Sequence, residues 1–541
     1  MPRFSVLLLG GLLAGCSPAP DATDLRESAQ TTGLWFVHDA GRSGKLLLPE
    51  ITGSGVGLID YDSDGDLDVF FAQGAAPGTR GEGNRLFRNE LVPTGELGFV
   101  DVSATAGALG DGFAMGVSTA DIDNDGDTDL FVSGVGRDYL LRNDDSTFVD
   151  ITAMAGVDDP RWNGSASFAD IDNDGDLDLF VTAYVDGWSD QARGCNNQTG
   201  AEDYCSPGNF EPTTDRLYRN DGDGRFRDIT AVSGIDAAAG AGLGVVAGDF
   251  NGDDRVDFYV ANDQTANHLW LQTETGRFTE QALMRGSAYN ADGRAEASMG
   301  VTVADIDGNG ADDLFMTHLN NESNTLYLND GRGAFREVTD RFGLGSTSLP
   351  YTGWGANWVD LDHDTDLDLY IVNGSVMTSA TQGETPYGQH NQSYDWVEGR
   401  YELTIETSLA DNGRGAAFGD IDNDGDIDVV VNNNNGAARL YLNSVDGGGN
   451  WLVVRLQGSG GNRAGIGARV ELQTAAGTFS RRVATDGSYA SAGDHRVHFG
   501  LADSSVADIV VRWPGGEREA FDQVSVNQHV VLVRGTGRPA P

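Results

Sequence analysis

The sequence predicts an all-β protein: a seven-bladed β-propeller with Asp-rich loops, followed by a small C-terminal β-sandwich-like domain. Three observations lead there. An aspartate-rich loop recurs seven times, starting at Asp60, Asp121, Asp170, Asp249, Asp305, Asp360 and Asp420, at steps of 49 to 79 residues. Each loop lies between two short apolar runs with strand patterning, and two more strand-like pieces follow in most units, which makes four strands per unit. Glycine is abundant, 75 of 541 residues, and many stand in the run before a loop, as at Gly55, Gly57, Gly116, Gly244, Gly300 and Gly355. Strands crowded round a central axis need such small side chains.

Taken in chain order, the first element is an address. Arg3 precedes an apolar run, Phe4 to Leu13, too short for a membrane span but suited to a signal-peptide core. The run ends in Leu13-Ala14-Gly15-Cys16, which resembles the bacterial lipobox. That resemblance implies a signal peptide over 1–15, lipidation of Cys16, and, with Ser17 rather than Asp next, an exported protein anchored in the outer membrane. Residues 16–32 are polar and read as a flexible tether.

The propeller is placed at 33–444. Leu34 to His38 matches a fourth strand with no first three, and the last unit lacks its fourth, so the N-terminal piece is expected to close the ring. Two long insertions, Ala183 to Asp215 and Gly374 to Ser393, fall between second and third strands. Cys195 and Cys205 are expected to pair and staple the first of them.

The loops have the spacing of a cation site. Positions 1, 3, 5, 7 and 9 are Asp60, Asp62, Asp64, Asp66 and Asp68 in loop one, and Asp121, Asp123, Asp125, Asp127 and Asp129 in loop two. Loop three has Asp170, Asp172, Asp174, Asp176 and Asp178. Loop six has Asp360, Asp362, Asp364, Asp366 and Asp368, and loop seven Asp420, Asp422, Asp424, Asp426 and Asp428. Loop four offers Asp249, Asn251, Asp253 and Asp257, and loop five Asp305, Asp307, Asn309 and Asp313. Carboxylates at 1, 3, 5 and 9, a carbonyl at 7 and a sharp turn at 6 supply the six to eight oxygens that calcium takes. Zinc would call for Cys or His. A solvated acidic turn explains one such loop, but not seven sets of mutually repelling carboxylates. Loops one, two, three and seven are expected to bind best, since loop four has Asp254 and loop six Thr365 at the Gly position. Affinities on the order of 10⁻⁴ to 10⁻³ M are expected for an exported module.

These loops with glycine-rich strands before them resemble FG-GAP/VCBS repeats. Leu48-Pro49-Glu50-Ile51, Tyr204-Cys205-Ser206-Pro207 and Gly293-Arg294-Ala295 resemble the cartilage acidic protein group of such propellers. Past the propeller, residues 445–541 carry short alternating strands, and Asn462 to Ala468, His498-Phe499-Gly500-Leu501 and Trp513-Pro514-Gly515-Gly516 resemble the ASPIC/UnbV domain. His495 and His498 fall on opposite faces of a strand and read as structural.

For function, 83 acidic against 35 basic residues give a net charge of -48, which repels phosphate backbones and argues against a nucleic-acid partner. There is no G-x-S-x-G, H-E-x-x-H or P-loop motif. The reading is a calcium-stabilised scaffold, attached to the membrane only through its lipid, that binds a protein or glycan ligand; the alternative is a calcium-dependent polysaccharide lyase or hydrolase. Both insertions should rise on the face opposite the Asp-rich loops. Arg161, Trp162, Trp188, Tyr204, Tyr289, Arg294, Tyr351 and Trp354 are expected there as candidate ligand contacts, against the plainer reading that they pack the insertions down.

Overall fold

The computed structural model describes residues 25–76, 78–189, 194–196, 200, 202–377, 387–445, 448–474 and 477–540. The leader and Cys16 lie outside the described residues, among which no helix is long and apolar enough to cross a membrane.

Seven four-stranded antiparallel sheets form the larger part of the fold. The innermost strands, one per blade, are Val56–Ile59, Phe113–Ala120, Asn163–Ala169, Gly242–Gly248, Val301–Ala304, Gly353–Val359 and Gly413–Gly419. Each packs on the next, and the seventh packs on the first, so the sheets stand in a ring. Between neighbouring blades lie apolar clusters, such as Phe70, Leu86, Leu130 and Val132 between blades one and two and Phe180, Val245, Phe258 and Trp270 between blades three and four. Removing these faces from water is the main favourable term for a fold of this kind.

The seventh sheet borrows its outer strand from the start of the chain, as expected, but from different residues. Arg26–Glu27 pairs antiparallel with Arg439–Leu442, within the stretch read as a tether. Leu34 to His38 contributes only one bridge, Val37 to Ala437. Its strand-like alternation has another cause: Leu34 and Phe36 are buried between blades seven and one, Phe36 stacking on Phe71 at 4.5 Å, while Trp35 and Val37 face outward.

Blade three carries the first insertion, with Cys195 and Cys205 bonded as expected. The C-terminal domain has two sheets, one of three strands (Asn450–Gln457, Val497–Ala502, Gln528–Val533) and one of five (Arg469–Gln473, Thr478–Arg482, Val506–Arg512, Arg518–Ser525, Arg538–Pro539). Leu452, Val454, Val470, Phe499, Ile509 and Trp513 fill the space between them, in one apolar cluster with Ile122, Phe168 and Val181 of blades two and three.

This domain also fills the hub of the ring. The segment Thr485 to Ala492, between its third and fourth strands, touches all seven inner strands. Leu58 and Val117 N–H donate to the Ala492 and Ala490 carbonyls, and Val301 N–H to that of Ser488. Ala490 N–H donates to Ser165 Oγ, Ala247 N–H to Asp486 Oδ2, and Ser488 Oγ to the Ala416 carbonyl; Ser488 also lies against Gly355. At the far end Tyr489 is fully buried, its hydroxyl donating to the Thr52 carbonyl at 2.7 Å and its ring meeting Trp354 edge-on at 4.8 Å. The inner-strand glycines make room for this plug, since a methyl on Gly55 would collide with the Ala490 carbonyl.

Candidate metal centres

Each acidic loop joins the inner strand of a blade to the second, and the second strand starts on the position-9 aspartate. That carboxylate is a bracket. In all seven loops its Oδ2 accepts the N–H of position 2 at 2.8–3.1 Å. In six, its Oδ1 accepts the N–H of Asn89, Asn143, Asn220, Gln272, Asn329 or Asn443, at or close to the end of the third strand. The side-chain amides of the same six residues donate to the position-2 carbonyl of a loop one blade away: Asn89 to Ile421, Asn143 to Tyr61, Asn220 to Ile122, Gln272 to Ile171, Asn329 to Phe250 and Asn443 to Leu361. Sequence reasoning gave these residues no role, although the recurring Asn after the third-strand apolar pair was the available signal.

Positions 1 and 5 shape the turn. The position-1 carboxylate accepts the N–H of position 6 in loops two to seven. Position 5 accepts that of position 7 in all seven, a turn closed by its own side chain. Positions 1, 3 and 9 then converge. One oxygen from each of Asp60, Asp62 and Asp68 lies within 4.8 Å of the others, and the same holds for Asp121, Asp123 and Asp129, for Asp170, Asp172 and Asp178, for Asp305, Asp307 and Asp313, and for Asp360, Asp362 and Asp368. The position-7 side chains are engaged elsewhere: Asp66 with Val92 N–H, Asp127 with Asp145 N–H, Asp176 with Asn124 and Asp426 with Val445 N–H.

These centres fit a hard cation on two counts. Buried oxygens with no hydrogen-bond partner remain on Asp60, Asp62, Asp123, Asp172, Asn251, Asp360, Asp420 and Asp422, whereas buried polar atoms are ordinarily paired. Burial also disfavours the bare anions. It pushes Asp129, Asp178 and Asp257 up to about 8, Asp313 and Asp422 to about 7, and Asp121 and Asp170 to about 6. A bound cation would reverse that cost.

The C-terminal domain sits on this face. Its ten arginines against nine acidic residues over 445–541 make it net +1, so the rest of the chain holds -49 of the total -48. Arg463 donates to the Asp125 carbonyl at 2.7 Å, Arg469 pairs with Asp312 at 2.6 Å, and Arg496 donates to the Asp420 carbonyl at 3.0 Å. Loop four is already met by cations, with Arg255 paired to Asp253 and Arg512 to Asp254 and, at 3.7 Å, to Asp249. Loop six keeps Thr365 at the glycine position with φ +91°.

The opposite face departs from expectation. Trp162, Trp354 and Tyr204 are buried rather than exposed. Trp162 packs edge-on against Tyr184 and Trp188. Trp354 donates to the Gly374 carbonyl and lies 4.1 Å under the buried Arg414 guanidinium, and Tyr204 donates to Glu50. Together they seal the far end of the hub and pin the first insertion, which is why large aromatics stand there. Arg161 is held by Asp159 and by the Thr214 carbonyl, and Tyr351 donates to Glu406. Trp188, Tyr289 and Tyr351 remain half-buried and Arg294 exposed.

The profile for FG-GAP-like repeats matches residues 60–132, 121–181, 197–260, 249–316 and 305–371, more than half of the chain. The chain belongs to the FG-GAP-like repeat family. The profile for ASPIC and UnbV matches 458–539. Cartilage acidic protein 1 of Mus musculus is 25% identical over 504 residues, 88% of this chain and 73% of that protein. The human protein is 25% identical over 316 residues, 57% of this chain and 46% of its own length. Among solved structures, the BP39L lectin from Burkholderia pseudomallei aligns at TM-score 0.43 and 12% identity, covering 74% of this chain and 97% of the lectin.

Proposed function

We propose that this FG-GAP propeller is a calcium-stabilised binding scaffold, exported and held at the outer membrane through a lipid on Cys16, which recognises a protein or glycan without turning it over. The observation that carries the calcium part is the set of buried, unpartnered carboxylate oxygens converging from positions 1 and 3 of the loops. Calcium would be held by positions 1, 3 and 9, with positions 5 and 7 completing the oxygen shell, most strongly in loops one, two, three and seven. Bound there, it supplies the charge that lets these carboxylates ionise together. The residues themselves fix the turns through which each inner strand passes into the next.

With the loop face covered by the C-terminal domain, recognition belongs to the opposite face, where Arg294 is exposed and Trp188, Tyr289 and Tyr351 are half-buried. Two measurements test this. A chelator should lower the unfolding midpoint, and an unchanged midpoint would sink the calcium assignment. Calcium-loaded protein should retain members of a polysaccharide or protein panel without releasing reducing or unsaturated ends; release of such ends would show an enzyme.

A further inference from the structure

Two histidines and a carboxylate come together where loops six and seven meet the C-terminal domain. Position 4 of a loop recurrently reaches toward the next blade's loop. The Asn124 side-chain amide donates to Asp176 Oδ1 at 2.8 Å, and that of Asn423 reaches the Gly65 carbonyl. In loop six this position is His363, buried, with φ +63°. Its Nδ1 stands 3.3 Å from the Gly449 carbonyl oxygen, an acceptor, so Nδ1 carries the proton. Its Nε2 faces Asp426 Oδ1 at 3.2 Å. Two acceptors at that distance repel unless a proton or a metal ion joins them.

The third group comes from the other domain. The His498 ring lies 5.2 Å from that of His363, centroid to centroid, and its Nε2 is buried without a hydrogen-bond partner. The 3.2 Å from His363 Nε2 to Asp426 Oδ1 and the 5.2 Å between the two imidazole centroids each match ligands of one tetrahedral ion. Ligand atoms about 2.0–2.1 Å from zinc at tetrahedral angles stand roughly 3.3 Å apart, and two imidazoles so bound have centroids about 5 Å apart. A backbone carbonyl accepting the far N–H of a ligating histidine is the usual outer support of such a site.

We propose that His363, Asp426 and His498 form a zinc site that clamps the C-terminal domain to the propeller, with the fourth position left to water. His495, the nearer partner of His498 in sequence, takes no part; it lies 3.9 Å from Asp494. The proposal does not depend on calcium, which takes oxygen rather than imidazole.

The test uses the full chain, stripped of transition metals and saturated with calcium, and titrated with zinc against a chromophoric chelator. Wild type should take up about one zinc with the affinity of a three-ligand site, and cobalt in its place should show the intense visible bands of tetrahedral coordination. His498→Ala should weaken zinc binding by at least about ten-fold and abolish the bands. His363→Asn, which restores the side chain of loop two and so the link between loops, should do the same while keeping the wild-type unfolding midpoint in calcium alone. His495→Ala should bind as wild type does. Absence of zinc uptake by wild type, or equal uptake by His498→Ala and His363→Asn, would overturn the site.

Discussion

Tyr489 offers the sharpest probe of the filled hub. Truncating it to Ala removes a fully buried ring, its edge-on contact with Trp354 and its bond to the Thr52 carbonyl. Large-to-small changes of buried aromatics cost roughly 3–5 kcal/mol. Tyr489→Phe keeps the ring and loses the hydroxyl, which should cost about 1–2 kcal/mol because the buried carbonyl is left unpaired. A thermal melt is a blunt gauge here. At about 2.1 cal/mol/K per residue, the unfolding entropy of 541 residues is roughly 1.1 kcal/mol/K, so even the Ala variant would shift the midpoint by only about 3–4 °C. Amide hydrogen exchange reads the hub directly. The N–H groups of Leu58, Val117 and Val301 donate to carbonyls of the plug, and their exchange should accelerate in the Ala variant and stay near wild type in the Phe variant. Unchanged exchange of all three amides in Tyr489→Ala, at a stability loss under about 1 kcal/mol, would refute the seating of the plug.

Other consequences can be checked separately. Because burial raises Asp129, Asp178 and Asp257 to about 8 and Asp121 and Asp170 to about 6 in the absence of a cation, the protonated forms favour folding. That contribution is complete below the unfolded value near 4 and is lost as pH rises through about 6 to 8. Calcium needs the ionised forms, so the gap in midpoint between calcium-loaded and chelated protein should widen from about pH 5 to pH 8, with proton release on binding seen by calorimetry in buffers of different ionisation heat; a constant or narrowing gap would contradict this. Arg469→Met should cost roughly 3–5 kcal/mol in urea unfolding, since it strands buried Asp312, and Asp312→Leu added to it should recover most of the loss. Thr365→Gly should stabilise by about 1 kcal/mol, because a β-branched residue at φ +91° replaces the glycines that hold +102° and +107° in loops one and two.

The propeller was legible because its signals are local and repeated. The spacing of the seven loops and the Gly-rich run before each located the blades, and the surplus strand at one end announced the closure. What closes the ring was misplaced by a few residues, because Leu34 and Phe36 alternate with exposed neighbours for an interblade reason that looks like strand pairing in sequence. The plug was not legible. Thr485-Asp486-Gly487-Ser488-Tyr489-Ala490-Ser491-Ala492 has the small, polar composition of a surface turn, and only the ring around it makes it a core. Its small side chains suit that place, since they leave the backbone free to bond to the inner strands. The aromatics at Trp162, Tyr204 and Trp354 misled in the opposite sense, because loop position in sequence does not show what lies on top. His363 and His498 stand 135 positions apart in different domains, and no spacing rule joins such a pair.

The filled hub also imposes an order on assembly. Every blade is complete in sequence before Thr485 appears, so a growing chain can set out all seven blades while the amides of Leu58, Val117 and Val301 still lack their partners. Such a hollow intermediate exposes unpaired backbone along its axis and should be the species most prone to stray association. The same late arrival makes the C-terminal domain a checkpoint, because its seating reports that the last blade has met the first.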